Sequence, residues 1–126
     1  MPRQAFQPEG RPKPKPPYSP VVVAGDAVYT AGQTATDAEG NMVAGGIAEQ
    51  TRQTLENVRA CVEAAGSTMD DVVKVNAYLA DLADFADYNE VYREFFLEPY
   101  PARTSVQAGL PAGVLVEIEA IARRSR

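Results

Sequence analysis

Arg103 and Glu117 are the two residues on which chemistry is most readily built. Arg103 stands in Pro-Ala-Arg-Thr-Ser-Val-Gln-Ala-Gly and Glu117 in Val-Leu-Val-Glu-Ile-Glu-Ala-Ile-Ala, in company that is otherwise mostly small or apolar. A charge in such surroundings is costly unless it is paired, hydrogen-bonded or used on a ligand. The residue types leave two readings open: an ion pair that fixes hairpin or subunit register with no turnover, or a site with a cation and a carboxylate for a ligand. The chain contains no histidine, which excludes a Ser-His-Asp triad, a Cys-His dyad and the usual imidazole metal sites. Any catalysis must run on carboxylates, Arg, Lys, Tyr, water or backbone groups.

The segments that carry the pair read as two alternating strands forming a hairpin across Leu110-Pro111-Ala112-Gly113. Pro presets φ for such a turn, and Gly supplies the positive φ that a reversal often needs. At 126 residues the chain is long enough for one core and too short for two independent domains. With 45% hydrophobic and 23% charged residues it is globular rather than disordered. No apolar run approaches a bilayer span and the N-terminus has no signal-peptide stretch, so the cytosol is the expected compartment, with no membrane partner. The single Cys61 cannot form an internal disulfide, in keeping with a reducing compartment. A net charge of -5 gives no global attraction for phosphate backbones, and nucleic acid is not an expected partner.

Residues 1–17 form a proline-rich arm, with Arg11-Pro12-Lys13-Pro14-Lys15-Pro16-Pro17 favouring extended backbone. It reads as an extended terminus, loose at its start and strapped to the body near Tyr18, rather than as a ligand for a proline-binding module. Residues 18–126 read as a single domain. Val21–Ala24 and Ala27–Gly32 are strands about a Gly25-Asp26 turn. Gln33–Gly46 is a loop with a short strand at Met42-Val43. From Ile47 a stripe of Thr51, Leu55, Val58, Val62 and Ala65 marks a helix that Gly66 stops in the left-handed conformation, with Cys61 packed at its edge.

Val72–Leu79 is the strongest strand. Val73, Val75, Ala77 and Leu79 are expected on one face, with Val72 and Tyr78 on the other around Lys74 and Asn76. A second helix is expected to open at Asp84, to stack Phe85, Tyr88, Tyr92, Phe95 and Phe96 along one core-facing stripe, and to end before Pro99 and Pro101. The order strand, strand, helix, strand, helix, strand, strand makes an α+β sandwich, a mixed sheet with two helices on one face. The other face is left bare, which predicts self-association through it.

Tyr18-Ser19, Ala31-Gly32-Gln33, Asp84-Phe85 with Asn89, Pro101-Ala102-Arg103, Leu110-Pro111 and Glu117–Ala122 together resemble the Rid/YjgF family of reactive-intermediate enamine/imine deaminases. The resemblance runs from Tyr18 to Arg124 and rests on order and spacing. It implies the chorismate-mutase-like fold and a homotrimer with a ligand cleft at each subunit interface. It also implies hydrolysis of 2-imino acids of the 2-aminoacrylate type to 2-keto acids and ammonia. By matching position, Arg103 would clamp the substrate carboxylate and Glu117 would position or activate water. The backbone of Gly32 and Ser105 would add hydrogen bonds, and Tyr18 and Asn89 would line the site. A guanidinium fork suits a carboxylate, and a held carboxylate can handle the proton as water adds to C=N. The resemblance requires no metal or organic cofactor.

The chain departs from many members at Ser105 (Cys there), Ala31 (Ser) and Pro20 (Gln), which bears on substrate range. The spacing from Arg103 to Glu117 is also one residue shorter than in the best-known members. A simple four-residue loop would set Arg103 opposite Ala120 and Glu117 opposite Val106, on opposite faces of the hairpin. A bulge or odd-length turn between Val106 and Leu115 is therefore expected, turning both side chains toward one intersubunit cleft. Glu119 is expected to point to the face opposite Glu117. The alternative to catalysis is a binding or regulatory module that uses the same cleft for a small carboxylate. Ribonuclease or translation-inhibitor roles described for some members fit poorly with an acidic chain lacking histidine.

Overall fold

A computed structural model describes residues 2–124. Eight regular elements follow in the order β1 (Gln4–Phe6), β2 (Val21–Ala24), β3 (Ala27–Thr30), α1 (Ile47–Ala64), β4 (Val72–Leu79), α2 (Phe85–Tyr92), β5 (Ala102–Gln107) and β6 (Val116–Arg123). Short 3-10 turns at Met69–Asp71 and Leu82–Asp84 lead into β4 and α2. The architecture is α+β, a six-stranded mixed sheet with strand order β1-β2-β3-β6-β4-β5. No helix among the described residues is long and apolar enough to cross a membrane.

Local chemistry explains most of these boundaries. β2 and β3 close on a two-residue loop in which Gly25 takes φ 62, a value that a residue with a Cβ reaches only with strain. At the end of α1, Gly66 sits at φ 84, its N–H donates to the Glu63 carbonyl, and the Ser67 N–H reaches back to Val62. These two bonds satisfy carbonyls that the last helical turn leaves open. Asp84 stands at the N-cap of α2 as expected, though its side chain makes no capping bond there; Asp81 instead accepts from Ala83 N one turn earlier.

The helices cover one face of the sheet. Leu55, Val58 and Val62 of α1 meet Val21, Val28, Val75 and Ile118 in a continuous buried cluster. Tyr88, Tyr92 and Phe96 close it, with successive ring centroids 5.8 and 4.8 Å apart. Phe95, expected on that stripe, lies beyond the end of α2, half-buried under the Arg59 guanidinium.

Four expectations are corrected. The arm is not loose at its start: Gln4–Phe6 pairs antiparallel with β2, and Phe6 packs against the core. Val73 does not share the buried face of β4, because the ladder with β6 slips between Val72 and Lys74. This bulge turns Val72 inward and leaves Val73 48% exposed. Glu119 does not oppose Glu117, since residues two apart in a strand share a face; the two pair with Asn76 and Tyr78, which also lie two apart on β4.

The fourth correction matters most. β5 and β6 do not form a hairpin, because β4 lies between them, parallel to β5 and antiparallel to β6. Alternation and a Pro-Ala-Gly turn announce a reversal of direction without saying which strand becomes the neighbour. Residues 108–115 cross the end of β4, where Ala108 N donates to the Leu79 carbonyl and Ala80 N to the Leu115 carbonyl. Buried Gln50 of α1 holds this crossing through Gly113 O and Leu115 N, each at 2.9 Å.

Candidate functional site

The new topology decides where Arg103 and Glu117 point. Arg103 pairs with Val75, whose side chain is in the core, so it faces the helices; Glu117 pairs with Tyr78 on the uncovered face. The expected bulge or odd turn, which was to direct both side chains of one hairpin toward the same intersubunit cleft, is therefore overturned, since within one chain the two lie on opposite sheet faces. β4 stands between the two strands, and the parity argument across a hairpin has no hairpin to act on. Each residue instead anchors its own group.

The first group surrounds Arg103. β5 is an edge strand that carries Arg103 and Ser105 on the same face, opposite α2. The guanidinium lies over Phe85, Tyr88 and Tyr92, with centroid distances of 5.6, 5.2 and 4.6 Å. A cation over ring faces is held electrostatically, by about 0.5–2 kcal/mol per contact according to burial. The same rings fix the plane of the guanidinium fork. No carboxylate among the described residues lies within ion-pair distance of Arg103. It borders an open cleft of about 340 Å³ together with Asn89, Tyr92 and Tyr100. A half-buried cation with no anion of its own, walled by rings and facing a cleft, is suited to a small carboxylate. Asn89 and Arg103 are thus brought to one cleft, and Ser105 lies beside it on the same face of β5 without lining it.

The second group surrounds Glu117. Its carboxylate lies directly against the backbone of Gly32, so closely that a Cβ at position 32 would fall on Glu117 Oε2. Glycine there gives the Glu117 carboxylate the room to lie in this position, and a side chain would make that carboxylate swing away. Backbone bonds in both directions between Gln33 and Ile118, 2.8 and 3.0 Å, hold the two segments in this contact. The Glu117 carboxyl is pushed above its ordinary value, first by burial and then by the neighbouring Glu119 carboxylate. Glu119 is itself held by Asn76 Nδ2 at 3.3 Å. A raised carboxyl exchanges a proton nearer neutrality than a free one. Tyr18, 55% exposed, belongs with neither group directly; it borders a separate cleft of about 390 Å³ between the arm and the Gln33 loop.

Two features carry the site without having been singled out in the sequence. The Tyr88 and Tyr92 rings, read as core, are also the wall behind Arg103. Their signal was an aromatic stripe on the helix immediately preceding the strand that bears an arginine. The other feature is Asn57, an amide on the buried face of α1, which donates to the Thr34 and Thr36 carbonyls at 2.8 and 2.9 Å and accepts from Arg11 of the arm at 2.6 Å. Arg11 also donates to the Asp37 carbonyl at 2.8 Å, so arm and helix together hold the segment that follows Gly32. Asn57→Ala leaves the Thr34 carbonyl without its side-chain donor and the Thr36 carbonyl with Arg11 Nη1 alone, at 3.2 Å, and is expected to cost about 1–3 kcal/mol. Its denaturant midpoint tests this, and an unchanged midpoint would show that the loop is held by other means.

With that geometry in place, a family model described as Endoribonuclease L-PSP matches residues 8–124. The chain belongs to that family. Its solved structures include RidA from the Antarctic bacterium Psychrobacter sp., 43% identical, with a TM-score of 0.88 over 95% of this chain and 98% of that one. The Rid/YjgF resemblance read from the sequence is thereby shown. A RutC family protein of Pyrococcus horikoshii is 52% identical over 116 residues, 90% of this chain and 92% of the relative. A Bos taurus family member, named 2-iminobutanoate/2-iminopropanoate deaminase, is 44% identical over 108 residues, 84% of this chain and 79% of the relative.

Proposed function

We propose that the chain hydrolyses 2-imino acids, tautomers of 2-aminoacrylate-type enamines, to 2-keto acids and ammonia, at a site assembled between copies of itself. The observation that carries this reading is Arg103, a ring-walled guanidinium with no carboxylate partner among the described residues, facing a cleft. The deaminase names of relatives supply the reaction class.

In this reading the substrate carboxylate binds the Arg103 fork bidentately, with Asn89 and the Ser105 strand beside it. Water adds to the carbon of the protonated imine, whose nitrogen already carries two hydrogens, while Glu117 takes the water's proton. The resulting carbinolamine carries hydroxyl and amino groups on one carbon. Glu117 returns the proton to the amino group, the C–N bond breaks and ammonia leaves. The freed Glu117 carboxylate takes the hydroxyl proton as that oxygen becomes the keto oxygen, and the proton then departs with ammonia as ammonium. The elevated Glu117 carboxyl suits both halves of this exchange.

Because Arg103 and Glu117 of one chain lie on opposite sheet faces, the clamp of one copy must meet the carboxylate of another. The uncovered face supports such assembly: it carries Glu117 and Glu119 beside Tyr78, with Tyr29 and Val106 exposed at 43% and 42%. A homotrimer is the expected species by light scattering, and a monomer that turns over substrate would remove this part of the proposal. The same opposite-face placement favours a second reading, a non-catalytic module that binds a small carboxylate at Arg103 alone. The experiment that separates them generates 2-aminoacrylate with a serine dehydratase and follows ammonia release with and without the chain. Faster release with the chain is expected, and an unchanged rate with retained carboxylate binding would favour the module.

A further inference from the structure

The residue behind Ser105 is Tyr88. The Tyr88 side chain is fully buried, and its hydroxyl lies 3.1 Å from Ser105 Oγ. Arg103 sets its guanidinium 5.2 Å from the Tyr88 ring centroid. Arginine has no acceptor, so the Tyr88 proton cannot go there. Ser105 Oγ is the acceptor in reach among the described residues, and a buried hydroxyl proton left unpaired is costly. Burial also keeps the phenol protonated by pushing its pKa up. Donation from Tyr88 O–H to Ser105 Oγ is therefore the arrangement that leaves no buried phenol proton unpaired. A hydroxyl that accepts this bond keeps its own proton for another partner. Ser105 is half-buried on the face of β5 that also carries Arg103.

We propose that Tyr88 is a positioning residue for the ligand: by donating to Ser105 Oγ it commits the Ser105 O–H to the carboxylate held on Arg103. This rests on the carboxylate-binding role of Arg103 proposed above. The clamp then has a hydroxyl donor beside the guanidinium fork, and ligands of the 2-keto and 2-imino acid class gain a bond that binding by Arg103 alone does not provide.

The test is a double-mutant cycle read on binding of 2-oxobutanoate by calorimetry, and in parallel on KM and kcat for imine hydrolysis. Tyr88→Phe keeps the ring under Arg103 and removes the hydroxyl; Ser105→Ala removes the donor. Each is expected to weaken binding about fivefold, mainly in KM, and the double variant no further than either single one, because both remove the same bond. Additive losses would overturn the inference, since Tyr88 would then act apart from Ser105. Ser105→Ala leaves the core rings untouched, and unchanged binding in that variant overturns it whatever Tyr88→Phe does to the fold. Binding does not depend on turnover: a wild-type chain that holds the keto acid without hydrolysing imines would remove the catalytic reading while leaving the cycle to decide this one.

Discussion

Arg103→Ala is expected to cut imine hydrolysis sharply while leaving the chain folded, with a melting temperature lowered only by the loss of the guanidinium–ring contacts. Loss of a bidentate carboxylate clamp removes about 2–4 kcal/mol of binding, which is roughly a 30- to 1,000-fold fall in kcat/KM. The fold should survive because Arg103 has no ion pair among the described residues to break and because the Tyr88–Tyr92–Phe96 stack stands without it. Arg103→Lys should recover little, since an ammonium neither forks onto a carboxylate nor lies flat over the rings as a guanidinium does. Steady-state kinetics with a thermal melt check this, and an alanine variant with full activity would end the anchor role.

Glu117→Gln is expected to lower kcat by about a hundredfold or more, the usual worth of a positioned proton carrier. Its effect on stability should have the opposite sign. Burial and Glu119 raise the folded-state value of the Glu117 carboxyl above its unfolded one, so the folded chain holds the extra proton in that interval. Stability contributed by the protonated form is present below the ordinary carboxylate value and is lost as pH rises through the raised one. Glutamine cannot ionise, so the variant should be at least as stable as the parent at neutral pH and should lack this decline. For the same reason, parent activity should fall on acidification at a pH above the ordinary glutamate range. Denaturant midpoints across pH together with a pH–rate profile make the comparison. A variant destabilised at neutral pH would mark Glu117 as a structural anion, used to fix register rather than to move protons.

The sequence was most legible where a local rule acts alone. The Gly25-Asp26 loop, the Ile47–Val62 stripe and the Gly66 stop each depend on neighbours a few residues away, and each stands as read. The Ala102–Gln107 and Val116–Arg123 strands were also legible as strands. Their pairing was not, because insertion of β4 between them is a choice among distant partners and leaves no mark on the alternation of either one. Val73 was misplaced for a related reason: a bulge changes parity at one residue without changing residue type. The arm's edge strand was hidden because Gln4-Ala5-Phe6 has little β character of its own and pairs only because β2 offers a free edge.

At the candidate site, residue types singled out Arg103 and Glu117, and the family resemblance added Gly32, Asn89 and Ser105 as residues to place. The sequence could not reveal that they divide into two groups on opposite sheet faces. That division leads to the proposal of a site shared between copies, and a complementation experiment addresses it most directly. Arg103→Ala and Glu117→Gln chains, each nearly inactive alone, are refolded together in equal amounts and assayed for ammonia release from 2-aminoacrylate. If one copy supplies Arg103 and its neighbour Glu117, random mixing leaves about a quarter of the sites with both residues intact, and a corresponding share of parental activity should return. Mixed oligomers that form yet stay inactive would contradict a site built from two chains.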